Sequence, residues 1–322
     1  MRLERGAFVL SFDVELAWGE AHRSSSVRVK LERMEAARAA LEPLLGLLEV
    51  HGITATFAVV GHLLLERCPG HAGDPRPTFA FGPPDWYAAH PEGGEDVAPA
   101  WYAASLADAV RKRDPGHELA AHGHTHAPLG YPGASAALAE CEFRAAAQAL
   151  RSRGLEPVSF VFPMNMVGFV DALARAGFRC YRALESSWYR DAPRPLRRLG
   201  HGLDQLAART PPTGLPRRVA GVWEIPSSML FLSREGWRAL IPMRARALRA
   251  LAGIEQAVER AEVFHLWMHL EDLVPGTDAM LETLDGVLGE VGRRARGGDL
   301  EVLTMRGLAE RMEACASSAS AS

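Results

Sequence analysis

Cysteine is scarce: Cys68, Cys141, Cys180 and Cys315 are spread over 322 residues, with none of the close pairing of a zinc ribbon or a redox motif. They read as ordinary thiols. No apolar run approaches the roughly 20 residues that a membrane-spanning helix needs. Met1-Arg2-Leu3-Glu4-Arg5-Gly6 leads straight into a strand, without the apolar core and small-residue cleavage site of a secretory leader. The expectation is a cytoplasmic protein with no integral membrane segment. Positive charge is not in excess either: 36 Lys and Arg against 39 Asp and Glu give a net charge of -3, the arginines are scattered, and nucleic acid is a poor partner. The local basic cluster Arg194-Pro195-Leu196-Arg197-Arg198 reads as a solvated loop. Internal repeats are lacking as well.

What is present suits a large core in a single domain, with 48% apolar and 23% charged residues. Strand patterns at Ala7–Phe12, Ile53–Val60, Val158–Phe162, Phe178–Tyr181, Val219–Ile225, Val263–Met268 and Leu300–Leu303 alternate with helical patterns. The helices are expected at Lys30–Val50, Ala134–Arg153, Phe169–Ala176, Arg234–Ala252, Gly253–Arg260 and Thr277–Arg294. This α/β alternation predicts an irregular parallel (β/α) barrel over residues 1–313, with an open doubly wound sheet as the alternative. Two stretches lack a period. Residues 69–99 carry Phe79, Phe81, Trp86 and Tyr87 among prolines and glycines and are expected to wall a substrate groove; 191–218 reads as an insertion or second loop wall. The small, polar tail 314–322 is expected to fray.

Chemistry concentrates in two short segments. His117-Glu118-Leu119-Ala120-Ala121-His122-Gly123-His124-Thr125-His126 sets imidazoles four residues apart after a short strand-like run, and Asp13-Val14-Glu15 ends the first strand. Residues two apart on a strand point the same way, so Asp13 and Glu15 share a space while Val14 turns into packing. Two histidines and one carboxylate form the ligand set of an open zinc site, and the second carboxylate is left to move a proton. Either half alone is weak, since such a pair is often just a polar turn and such acids often a strand exit. Together they lie where parallel strands run out, which is where barrel enzymes keep their chemistry.

Five segments then resemble the NodB-like polysaccharide deacetylase family: Ser11-Phe12-Asp13-Val14-Glu15, Gly52 to Gly61, Glu118 to His126, Ser159 to Asn165, and Val263 to His269. The resemblance spans most of the chain. It implies the barrel of the polysaccharide deacetylase type, with Asp13 as base, Glu15, His122 and His126 as ligands of a divalent metal, foremost Zn2+, and His269 as general acid. The activity implied is removal of an N-acetyl group from a carbohydrate. With no leader, a small nucleotide-linked or lipid-linked sugar is the expected substrate. Alternatives are hydrolysis of another C–N bond, in a cyclic imide or ureide, and a glycan-binding protein without catalysis.

Two departures from the pattern stand out. Met164 occupies the place in the third motif where the family supplies an Arg that orients the base, for which Arg182 on the following strand is a candidate substitute, and Leu270 follows His269 where relatives often have Pro. Pro163 and Asn165 flank that gap as candidate substrate or supporting residues. His265 shares the side of its strand with His269 and competes for the acid role. His124 is expected to turn away from His122 and His126 into a hydrogen-bonded supporting role. Trp188 and Tyr189 are equally well read as sugar-stacking or core residues.

Overall fold

The structure, a computed structural model, describes residues 3–22, 24–113, 116–185 and 209–321. Trp188, Tyr189, the Arg194–Arg198 cluster and residues 191–208 of the expected insertion lie outside the described residues.

Ten strands are described: β1 Gly6–Val14, β2 Thr56–Val59, β3 Glu118–Ala121, β4 Ser159–Phe160, β5 Cys180–Glu185, β6 Arg217–Val219, β7 Val222–Ser227, β8 Met229–Leu230, β9 Val263–His269 and β10 Leu300–Leu303. They form one sheet in the order β6-β7-β5-β4-β3-β2-β1-β9-β8, with β10 added beside the first half of β1. All pairings are parallel except that of β6 with β7. One connection decides between an open and a closed sheet. The passage Val222–Leu230 pairs with β5 through β7 and, one residue later, with β9 through β8, so a single stretch of chain joins both ends. The sheet is a curled, irregular parallel barrel.

Side chains on β1 alternate as the pleat requires. Phe8, Leu10, Phe12 and Val14 pack outward in the large core shared with the helices, whereas Ala7 and Val9 join Ala58, Ala120, Val161, Cys180, Ile225 and Val263 from the other strands. That second cluster, drawn from strands all round the ring, is the barrel interior. Its lower end is plugged by Met305, Leu308, Ala309 and Met312, at the helical spacing that puts all four on one face. Each fully buried apolar side chain contributes about 1.5–3 kcal/mol.

Seven helices are described: α1 Ser24–His51, α2 Ala104–Arg111, α3 Ala136–Ser152, α4 Val170–Arg175, α5 Met243–Arg260, α6 Thr277–Gly297 and α7 Met305–Ala321. Three differ from the sequence expectation. Residues 314–321, expected as a small polar tail, are helical and continue α7 beyond its buried Met305, Leu308, Ala309 and Met312. The pair expected at 234–252 and 253–260 is instead a short 3-10 turn, Gly236–Leu240, followed by α5, which begins after Pro242 and runs unbroken through Gly253. Gly253 is a packing residue, not a helix end: a Cβ there would lie 2.4 Å from the Phe264 ring. The third, α2, is too short for its period to stand out, although Leu106, Ala107 and Val110 are buried.

Residues 69–99 contain no helix or strand, and their aromatics mostly serve packing, not a groove. Phe79, Trp86 and Tyr87 are buried, Trp86 Nε1 donates to the Thr125 carbonyl at 2.9 Å, and the Tyr87 hydroxyl donates to the Pro75 carbonyl at 2.8 Å. No helix among the described residues is long and apolar enough to cross a membrane.

Candidate active site

Along the interior face of β1, Ser11 and Asp13 follow Ala7 and Val9, so the alternation that buries alanine and valine low in the barrel brings a hydroxyl and a carboxylate to its upper end. Parallel pairing sets Asp13 opposite His269 and Ser11 opposite Trp267. Glu15, just past the strand, leads into the turn Leu16–Glu20. A Cβ at Gly19 would stand 2.3 Å from the Glu15 carboxylate, so only glycine leaves room for that side chain.

Glu15, His122 and His126 converge. One carboxylate oxygen, Glu15 Oε1, lies 3.0 Å from His122 Nε2 and 3.0 Å from His126 Nε2. His122 Nδ1 donates to the Val161 carbonyl at 2.9 Å, which leaves a bare lone pair on Nε2. Both ring nitrogens of His126 are buried without a hydrogen-bond partner. The Glu15 carboxyl is held well below its ordinary range; burial opposes this, but the imidazoles of His126 and His269 prevail. Unpartnered nitrogen and an ionised oxygen within 4.8 Å of one another fit a divalent cation. These three residues would hold it, and it would supply Lewis-acid chemistry there.

The turn carrying the histidines is held from behind. Gly123 and His126 have φ of 72° and 62°, and the buried Glu142 of α3 accepts from the backbone of His124 at 2.7 Å, from that of Thr125 at 3.2 Å, and from the Thr125 hydroxyl. The sequence reading missed Glu142. Its signal was an acidic residue on the stripe that otherwise buries Ala139, Phe143 and Ala146.

Asp13 does not join that carboxylate–imidazole cluster by hydrogen bonds but faces Arg182. Arg182 Nη1 donates to Oδ1 at 2.7 Å and Nη2 to Oδ2 at 2.6 Å, and Nη2 also reaches Asn165 Oδ1 at 3.0 Å. The guanidinium lies 4.1 Å from the Trp267 ring centre. Burial would raise the Asp13 carboxyl, yet Arg182 and then His122 keep it below its usual value. Pro163 opens the turn next to Gly123, followed by Met164 and Asn165 at φ of 55° and 53°.

The two histidines of β9 part company. His265 is fully buried: Ser11 Oγ donates to its Nε2 at 2.8 Å, its Nδ1 donates to the Pro226 carbonyl at 3.1 Å, and Arg182 Nη1 donates to Ser11 at 3.2 Å. Burial first and Arg182 second push it down to about 3, so it is neutral. His269 reaches the pocket, with Nε2 3.5 Å from Glu15 Oε1 and Nδ1 donating to Asp272 Oδ2 at 2.8 Å. Burial would lower it, but Glu15 and Asp272 raise it to about 10. Asp272 was not found from the sequence; an acid three residues past a histidine is too common to single out. A pocket of ≈ 180 Å³ opens beside these groups, lined by Glu15, Lys30, Arg33, His269 and Glu271 among others, with no residue of 69–99.

His124 turns away, because the chain has left β3 at Ala121 and bends at Gly123 with φ of 72°, and it makes no ring hydrogen bond; its Nε2 lies 3.6 Å from Asp74 Oδ1.

No family model matches the sequence, and no curated protein matches it. Solved structures do. A putative polysaccharide deacetylase from Mycobacterium smegmatis superposes with a TM-score of 0.65 at 18% identity, covering 96% of this chain and 90% of that one. The fold is therefore the polysaccharide deacetylase barrel. A probable polysaccharide deacetylase from Pseudomonas aeruginosa PAO1 gives 0.55 at 13% identity over 94% and 89% of the two chains. Puue allantoinase gives 0.56 at 13% over 96% and 90%.

Proposed function

We propose that this barrel is a metal-dependent hydrolase that removes an N-acetyl group from a carbohydrate. The observation that carries this reading is the arrangement at the strand ends: Glu15, His122 and His126 gather around one point, while Asp13 and His269, which also lie within 4.8 Å of Glu15, are each held by a further partner, Arg182 and Asp272. A divalent ion in that triad, Zn2+ by its donor set, would polarise the acyl carbonyl and lower the pKa of water towards about 7. Asp13, kept ionised and aimed by Arg182, takes the proton from the attacking water. His269, protonated and tethered by Asp272, gives a proton to the departing amine, without which the tetrahedral intermediate collapses back to the amide. His265 is the lesser candidate for that acid, being neutral and enclosed by Ser11 and Pro226.

Arg182 does for Asp13 what an Arg at position 164 would do, so the third-motif departure need not disable the base. Lys30 and Arg33 on the pocket wall are paired with Glu20 and Glu235, and Glu15, Glu271 and Asp272 line the same pocket, so the wall does not by itself select an anionic substrate. The likeness to Puue allantoinase favours a second reading, hydrolysis of a cyclic ureide or imide, because the same groups serve any amide.

The test is release of acetate from nucleotide-linked and lipid-linked N-acetylhexosamines by zinc-loaded protein, beside ring opening of a cyclic ureide and imide panel. Acetate release supports the deacetylase, and ring opening alone transfers the chemistry to the second reading. Saturable sugar binding without any product would replace both with a glycan-binding role.

A further inference from the structure

A second cluster of metal-ligating side chains lies outside this site, built from the segment after β2 and the middle histidine of the motif. His62 is fully buried and His124 is 5% exposed, yet neither ring of either residue finds a hydrogen-bond partner. Both rings face Asp74: His62 Nε2 lies 3.5 Å from Oδ2, and His124 Nε2 3.6 Å from Oδ1. His71 Nδ1 stands 3.2 Å from Asp74 Oδ2, and Cys68 Sγ is 3.7 Å from the same His71 nitrogen. Donor atoms of His62, Asp74 and His124 fall within 4.8 Å of one another, as do those of His62, Cys68 and His71.

The contacts within Cys68, His71 and Asp74 are hydrogen bonds, but the 3.5 and 3.6 Å separations of Asp74 from His62 and His124 are too long for good ones and suit something else. Four donors placed tetrahedrally at about 2.0–2.3 Å from a zinc ion stand roughly 3.3–3.8 Å apart. Each imidazole can give one nitrogen to an ion, which would partner two of the four buried ring nitrogens. We infer that His62, Asp74 and His124, with a fourth donor from the adjoining Cys68–His71 pair, form a second, structural zinc site. Imidazole and thiol donors beside a single carboxylate favour Zn2+ over Mg2+ or Ca2+, which take oxygen.

The surroundings are those of a supported site. The His62 ring packs 4.5 Å from Trp18 and the His71 ring stacks on Tyr87 at 3.8 Å, so neither is free to swing. A surface pocket lined by Gly73, Asp74, His124 and Cys141 leads to the cluster from outside. The role follows from what it joins. Residues 65–103 form no helix or strand, and the ion would clip Cys68–Asp74 of that segment to His62 after β2 and to His124 within the turn that carries His122 and His126. Closing a long irregular loop is where such a clip stabilises most.

Zinc stoichiometry of the full chain, depleted of metal, reloaded with zinc and desalted, tests this separately from the catalytic reading. Two equivalents are expected in the parent, and one in His126→Ala, which loses the catalytic site only. Asp74→Asn, conservative and at the pocket mouth, should remove the second ion on its own, weakening it on the order of 100-fold. If the catalytic triad holds no metal, the parent has one equivalent that survives His126→Ala and disappears in Asp74→Asn. Cobalt in His126→Ala should give the intense visible bands of a tetrahedral ion. The inference is overturned if His126→Ala takes up no zinc, if its zinc is unaffected by Asp74→Asn, or if its cobalt shows only the weak bands of a solvated octahedral ion.

Discussion

Arg182 grips Asp13 with two parallel N–H···O bonds of 2.7 and 2.6 Å, across the barrel interior from β5 to β1, in a region where both side chains are almost wholly buried. A fork-to-fork pair of this kind fixes the carboxylate's direction as well as its charge, which a lysine would not do.

Arg182→Ala should therefore act on both stability and pH dependence. An uncompensated buried carboxylate costs about 3–5 kcal/mol of folding free energy. Burial, no longer opposed by Arg182, then raises the Asp13 carboxyl. A base with a raised pKa is protonated at higher pH, so the acidic limb of the kcat/KM profile moves up. Arg182→Lys should keep most of the limb's position but lose rate through misalignment. An acidic limb unmoved in Arg182→Ala would separate Asp13 from the rate-limiting base.

The two carboxylates of β1 and its exit should also behave differently. Asp13→Asn is expected to keep the ion of the catalytic triad and lose turnover by about 10²–10⁴-fold, since its role is to accept a proton. Glu15→Gln should weaken that ion's binding. Metal content by elemental analysis and acetate release measured on the same samples decide it, and equal loss of metal from both variants would make Asp13 a ligand.

How much of this was legible in the sequence depends on the range of the interaction. Spacing within β1 and within the 117–126 segment is local, so Asp13, Glu15, His122 and His126 could be grouped by periodicity and chain position. Arg182 could be nominated because the resemblance left a gap at Met164, but its approach to Asp13 depends on how β5 stands across the ring, which no local pattern encodes. Glu142 and the His62–Asp74–His124 cluster went unseen for the same reason, since each acts through a fold-level contact, whereas Asp272 lies only three residues past His269 in a spacing too common to single out. The aromatics of 69–99 misled, because composition cannot tell a groove wall from a packed loop. Likewise the helix that docks Met305, Leu308 and Met312 was not foreseen, because its buried face is spread over too few residues to show a period.

Glu142 offers a test of that long-range support. Glu142→Ala removes the acceptor for the backbone N–H groups of His124 and Thr125, at about 1–3 kcal/mol for each buried group left unpaired, and loosens the turn that aims His122 and His126. Lower thermal stability together with weaker metal binding is expected. Glu142→Gln keeps one acceptor oxygen and should recover part of both, whereas normal metal affinity in the alanine variant would mean that the turn holds itself.

The final prediction concerns the proton donor. His269 is raised to about 10 in the metal-free protein, where Glu15 and Asp272 outweigh its burial; an ion on Glu15 would offset that residue's charge and leave Asp272 as the principal raising partner, so Asp272 sets the pH at which the donor function is lost. Asp272→Asn removes one of the three raising charges, of Glu15, Asp272 and Asp13, and the carboxylate that receives Nδ1–H at 2.8 Å. Deprotonation then comes at lower pH, and the alkaline limb of the kcat profile should shift down, with kcat falling more than KM changes because the interaction matters when the amine leaves. His269→Ala should lose the limb altogether, along with about 10²–10⁴ in rate. Rate against pH for the parent and both variants, with metal content checked in each, supplies the comparison. An alkaline limb at the same pH in parent and Asp272→Asn would show that another group gives up the proton, and His265, despite its enclosure, would be the next to replace.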